Sequence, residues 1–214
     1  MKNNYNKKYF EFQKSTGQFV GIIFRDFYNK HIKGNMKVVD FGCGGGYLLE
    51  NIECKYKIGI EINKTLHNDI KAKGIMPYES LCSIKDDDID VFIMHSVIGH
   101  LKNPLEVVNQ ISKKLKEKGI VIVYLPHDNH DFDLIDDINN IYFSFSKRNI
   151  RNVFNSNNFK LVYHKHYKSS WPPFYSKIFQ IFGKRIFNFL SLCFGLLFNK
   201  VRYSHYIFKK DSIS

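Results

Sequence analysis

The chain has 214 residues, a formal net charge of +12, and 44% apolar residues including 20 Phe and 13 Tyr. That is enough for one sizeable core and one domain, and the aromatic content excludes a compositionally disordered chain. The four cysteines (Cys43, Cys54, Cys82, Cys193) form no C-x-x-C pair. They fit no zinc spacing and read as reduced thiols of a cytosolic protein.

In chain order, residues 5–33 read as a helical segment, with Phe12, Phe19, Ile22, Ile23 and Phe27 recurring at helical spacing and Gly34-Asn35 as its stop. Short apolar runs then alternate with helical patterns, as in a parallel α/β sheet. The runs are Met36–Phe41, Tyr56–Ile62, a weak Ile75–Tyr78, Ile89–Met94 and Gly119–Leu125, the last stopped by Pro126. Helices are expected from Tyr47, up to Lys73, and over Pro104–Lys116, where Pro suits the first turn. Beyond a stretch dense in Asp and His (127–137), Ser146 is placed to cap a helix running to Asn155. Strands are expected over Phe159–His164 and Tyr203–Phe208, with two short helices between them in 174–200. The N-terminus has no apolar h-region, so no signal peptide is expected.

The most informative stretch is VVDFGCGGGYLLE, Val38–Glu50. A strand runs into Gly42, Gly44, Gly45 and Gly46, and a helix follows. Glycines allow a tight turn and a close approach of backbone to a ligand, which then meets helix-terminal N–H groups. Glu61 stands 19 residues after Gly42, at the end of the second strand, where an acid can accept from both ribose hydroxyls. Together these suggest an adenosine-containing cofactor. The dinucleotide pattern G-x-G-x-x-G fails, because its third glycine falls at Tyr47, and no G-K-[ST] phosphate loop is present.

The pattern that is present, D-x-G-C-G-x-G, resembles the first motif of class I S-adenosylmethionine-dependent methyltransferases. That resemblance implies a Rossmann-like, doubly wound, mostly parallel seven-stranded sheet with helices on both faces. It places Asp40, Gly42, Cys43, Gly44 and Gly46 around the methionine part of S-adenosylmethionine and Glu61 on the ribose. Ile62 and His95 join the implied cofactor set, and Ser80 and Leu81, with Glu79, are placed to flank the adenine.

The resemblance continues in IDVFIMHSVIGHLKNP (Ile89–Pro104). There Asp90, Val91, Val97, His100 and Pro104 are similar to the ubiquinone-biosynthesis O-methyltransferases. With the later strands it spans residues 36–210. That subgroup commonly has Glu where this chain has Gly99. Some relatives hold a metal near this loop, but Ser96 and Gly99 supply no carboxylate, so no metal is expected.

The resemblance divides the one domain into an N-terminal helical segment (1–35), a cofactor half (36–126) and an acceptor half (127–214). Methyl transfer from a sulfonium mainly needs a positioned acceptor, and a hydroxyl acceptor gains from a base that titrates near neutrality. His100 is the first candidate base and His127 the second, both beyond carboxyl ends of strands. His127, His130, Asp128, Asp131 and Asp133 could also make a hard-metal set, but a solvated Asp-rich loop is the favoured reading of this stretch.

Positive charge collects at the two ends. Residues 147–214 hold thirteen Lys/Arg against one acid, Asp211, and include the apolar stretch Ile186–Phe198 between Lys184, Arg185, Lys200 and Arg202. Such a stretch is too short to span a bilayer but suits its surface, a lid, or packing on the sheet. The leading reading is therefore a methyltransferase acting on a small molecule, a glycan or a lipid-linked acceptor, in the cytoplasm or peripherally at a membrane. An RNA or DNA methyltransferase is the alternative favoured by charge, although HSVIGH stands where amino-directed enzymes carry [DN]-P-P-[YF]. A non-catalytic protein of the same fold is the third.

Overall fold

In the computed structural model the described residues are 7–127, 141–198 and 202–211. The elements are α1 (Lys7–Asn29), β1 (Lys37–Phe41), α2 (Tyr47–Glu50), β2 (Tyr56–Ile60), α3 (His67–Ala72), β3 (Met76–Tyr78) and β4 (Ile89–His95). Then follow α4 (Pro104–Lys114), β5 (Leu115–His127), α5 (Lys147–Asn155), β6 (Phe159–Lys168), α6 (Tyr175–Leu197) and β7 (Arg202–Lys210). The seven strands form one sheet in the order β3-β2-β1-β4-β5-β7-β6. Strands β1 to β5 pair in parallel, while β7 is antiparallel to both β5 and β6.

Alternation along the strands feeds two separate cores. Val39, Phe92, Met94, Val121 and Val123 point to one face and pack with Val108 and Ile111 of α4 and Ile150 and Phe154 of α5. Their neighbours Val38, Val91, Ile93 and Ile122 point to the other, against Phe24 and Tyr28 of α1, Leu49 of α2 and Ile70 of α3. A central strand must be apolar on both faces to be covered this way, which is why these runs read as continuous rather than alternating.

Helix starts follow their caps. The Asn103 side chain accepts from Glu106 N (3.3 Å) ahead of Pro104, and the Ser146 hydroxyl accepts from Asn149 N (3.1 Å). Other limits differ from the sequence reading. Helix α1 ends at Asn29, before Gly34-Asn35, because Tyr28 O takes the N–H groups of His31 and Ile32 and the chain turns to bury Ile32. Pro126 does not stop β5, which runs to His127. Pairing with β4 has already ended at Tyr124, so the N–H that proline lacks costs that ladder nothing. The two helices expected in 174–200 are present, and they meet at Gly183, whose backbone (φ 71°, ψ 179°) is not helical, so that α6 is two helical segments.

Candidate functional site

The glycine loop joins β1 to α2 at the carboxyl end of the sheet. Gly42, Gly44 and Gly46 have φ of 77°, 53° and 76°, in the left-handed region that side chains resist. Gly42 is also sterically required, since a Cβ there would lie 2.6 Å from Val97 Cγ2 in the loop after β4. The loop is tied to β2 by Gly42 N and Cys43 N, both donating to Ile60 O (2.9 and 3.0 Å).

Glu61 follows β2 directly and is held by backbone. Gly44 N donates to Oε2 (3.0 Å) and Asn63 N to Oε1 (2.8 Å). Each oxygen keeps a further lone pair for a ligand hydroxyl. Burial raises the Glu61 pKa, and these hydrogen bonds oppose that rise. Ile62 beside it is 73% exposed, an open apolar surface next to a carboxylate. Ser80 is exposed and precedes a short 3-10 turn, whereas the Leu81 side chain is buried in the core.

Asp40 is the most constrained group. It is 2% exposed, and its Oδ1 is buried with no hydrogen-bond partner. Burial, with the nearby Glu61 charge adding, pushes its pKa up to about 7. A buried carboxylate oxygen left unpaired is costly, and a cationic ligand group would relieve that cost. Cys43 is buried too, and its Sγ would sit 2.6 Å from a Cβ at Gly59. Its thiol pKa is raised by burial, so it acts as packing rather than as a thiolate.

His95 ends β4 and stacks flat on Tyr124, with centroids 4.0 Å apart. Its Nδ1 lies 2.8 Å from the Tyr28 hydroxyl of α1. Burial holds the imidazole neutral, with its pKa pushed down to about 3. It also keeps Tyr28 protonated. Both groups are neutral, so which of them donates follows the imidazole tautomer, and with Nδ1 engaged by Tyr28 the Nε2 is the ring nitrogen left for another partner. Around this pair stand Phe24, Tyr203 and His205, the last stacked on Phe27 at 3.8 Å. This aromatic basket joins α1, β4, β5 and β7. The sequence reading missed it; the i, i+4 spacing of Phe24 and Tyr28 was its single local signal.

His100 lies in a 3-10 turn (Ile98–His100) after β4, and its Nδ1 is buried without a partner. The departure at Gly99 has a packing reason. Tyr142 N and Phe143 N both donate to Gly99 O, and a Cβ at 99 would lie 2.9 Å from Phe143 O. Asp90 sits at the opposite end of the strand. It accepts from Lys37 N (2.8 Å) and Lys116 Nζ (2.9 Å), which binds β1 and β5 to β4 rather than serving the cleft. The His127 side chain and Asp128, His130, Asp131 and Asp133 lie outside the described residues.

A family model described as a methyltransferase domain matches residues 21–164. This chain belongs to the methyltransferase domain family. An uncharacterized methyltransferase of Schizosaccharomyces pombe is 27% identical over 42% of this chain, and the match spans 39% of that relative. Among solved structures, an S-adenosylmethionine-dependent methyltransferase from Archaeoglobus fulgidus is similar with TM-score 0.65 and 19% identity, over 94% of this chain and 99% of that one. A Haemonchus contortus phosphoethanolamine N-methyltransferase in complex with S-adenosylhomocysteine gives 0.57 and 12%, over 85% and 50%. A cyclopropane synthase of Mycobacterium tuberculosis gives 0.59 and 10%, over 84% and 79%. At these identities the structural likeness shows the shared fold. The family match makes the chain a methyltransferase domain, and S-adenosylmethionine is the cofactor that the resemblance of its glycine loop implies. The residues present fit that cofactor, on the buried Asp40 oxygen that has no hydrogen-bond partner.

Proposed function

We propose that this domain methylates an oxygen of a small-molecule, glycan or lipid-linked acceptor. The observation that carries this reading is the loop after β4. It closes on the glycine turn through Val97 and Gly42, and it brings His95 and His100 to one strand end. Its resemblance to the ubiquinone-biosynthesis O-methyltransferases, through His100 and Pro104, supports oxygen as the acceptor atom.

In this reading Asp40 faces the amino group of the cofactor's methionine part, Glu61 takes the ribose hydroxyls, and Ile62 lies against the adenine. The cofactor supplies a methyl group on sulfonium, already activated for in-line displacement. The chain's task is to hold the acceptor oxygen in line and remove its proton. His95 cannot remove it, because its pKa is too low for a base at neutral pH. In the tautomer where Tyr28 donates to Nδ1, its Nε2–H orients an acceptor oxygen against the Tyr124 wall. His100 accepts the proton at Nε2, since its Nδ1 is shut away from any partner. His127, at the end of β5, is the second candidate for this role.

Removing the base leaves positioning intact, and general-base catalysis contributes typically 10²–10⁴-fold. His100→Ala is therefore expected to lower kcat by about a hundredfold or more while S-adenosylhomocysteine binds as before. The check is turnover against a panel of phenolic, sugar and isoprenoid-linked acceptors, with calorimetry of the cofactor product. Unchanged kcat in His100→Ala, with loss in His127→Ala, moves the base to His127. Transfer to nucleic acid alone overturns the small-acceptor reading.

A further inference from the structure

Helix α6 is apolar on both sides. Its inner face is Phe187, Ser191 and Gly195, all buried. Phe187 meets Phe19 of α1 edge-on at 5.3 Å, and Gly195 lies so close to Ser169 that a Cβ there would be 2.7 Å from its Cα. The opposite face carries Ile186, Phe189, Leu192 and Leu196, between 45% and 64% exposed, with Leu197 at 80%. Ahead of the break at Gly183, Ile181 and Phe182 are exposed as well. A helix on a globular surface turns charged and polar residues outward; this one turns out Ile, Phe and Leu. Contiguous apolar surface of that kind marks an interaction site.

Charge chooses the occupant. The 23 residues of α6 contain no acid. Lys184 is held by Asp26 at the rim, and Lys177 and Arg185 have no acidic partner among the described residues. Thirteen Lys/Arg against Asp211 over 147–214 give this end of the chain a strong positive field. A second copy of the chain would bring the same positive charge against itself. An anionic bilayer satisfies both the apolar face and the charge around it, and no helix of the described residues is long and apolar enough to cross one.

We propose that the outer face of α6 docks in the plane of an anionic lipid bilayer. The docking stands on α6 alone, outside the 21–164 segment that defines the family, and does not depend on which acceptor atom is methylated. It also reaches the site through α1. Phe19 of α1 receives α6, Gly21 of the same helix lies against Tyr47 at the glycine loop, and Tyr28 holds His95. A bilayer under α6 therefore sits one helix away from the cleft and suits an acceptor carried in lipid.

The test is sedimentation of the full chain with vesicles of phosphatidylcholine alone and of phosphatidylcholine with phosphatidylglycerol. Binding is expected to the second only, and to weaken with added salt as screening shortens. The combined variant Ile186→Ser, Phe189→Ser, Leu192→Ser is expected to bind the anionic vesicles at least tenfold less while retaining S-adenosylhomocysteine. Lys177→Gln with Arg185→Gln is expected to lower both the binding and its salt dependence. Equal binding to neutral vesicles overturns the proposal. So does absence of vesicle binding together with a dimer that the triple-serine variant abolishes, or with salt-sensitive retention of RNA.

Discussion

At the scale of residues, Asp40 and His95 show opposite uses of burial. Both are kept from ionising, the acid by a raised pKa and the imidazole by a lowered one. The cost of the first can be read against pH. Below about pH 4 Asp40 is protonated in folded and unfolded chains alike, and above its folded value of about 7 it is ionised in both. Between the two, only the unfolded chain ionises, so stability of the ligand-free protein falls as pH rises from about 4 to 7. Asp40→Asn is expected to flatten this decline and to be the more stable form at pH 8 by thermal denaturation. The same change is expected to weaken S-adenosylhomocysteine about tenfold or more, because a charge-assisted contact of about 1.5–3 kcal/mol is lost. Undiminished affinity in Asp40→Asn would place the amino group elsewhere.

At the scale of elements, α1 is the joint of the molecule. Gly17 and Gly21, one turn apart, let it press on Tyr47 at the start of α2. In an isolated helix Gly→Ala is stabilising by roughly 1 kcal/mol. Here the sign reverses at Gly21, because a Cβ would come within 2.2 Å of the Tyr47 carbonyl oxygen, which is backbone and cannot rotate away. Gly21→Ala is expected to cost about 1–3 kcal/mol in chemical denaturation. Gly17→Ala should cost less, since its neighbour is the ring of Tyr47, a side chain that can shift. Equal and small effects would mean that α1 is not seated on the loop.

At the scale of the whole molecule, the proposed cofactor site lies where separate elements meet, so its ligand is expected to stabilise the fold as a unit. A ligand at a hundred times its Kd adds about 2.7 kcal/mol, and each kcal/mol shifts Tm by about 2–4 °C in a chain of this size. S-adenosylhomocysteine at that ratio is expected to raise Tm by roughly 5–10 °C, and NAD to leave it unchanged. The dinucleotide pattern fails in space as in sequence, since Tyr47 occupies the first position of α2 where the third glycine would stand. A rise with NAD and none with S-adenosylhomocysteine would contradict the assignment of the cofactor.

What the sequence by itself determined is local and periodic. Apolar runs separated by helical patterns are the physical cause of a buried parallel sheet, so the strands and the parallel α/β class were legible from them, while the doubly wound arrangement was what the family resemblance implied. Gly42, Gly44 and Gly46 stand where backbone must adopt positive φ, and Glu61 follows the next strand, so the loop and its acid could be paired by spacing alone. Ser146 and Pro104 announced their helices through chemistry within one turn. The tertiary structure decided whatever depends on partners distant in the chain. Tyr28 and His95 are 67 residues apart, and no spacing rule joins them. That His95 is held neutral follows from its burial, which no motif contains. Gly99 read as a lost carboxylate until Phe143 was found against it. The outer face of α6 also needed the fold, because an apolar helix could equally have been core. Only once Phe187, Ser191 and Gly195 had taken the inward side did Ile186, Phe189 and Leu192 stand exposed.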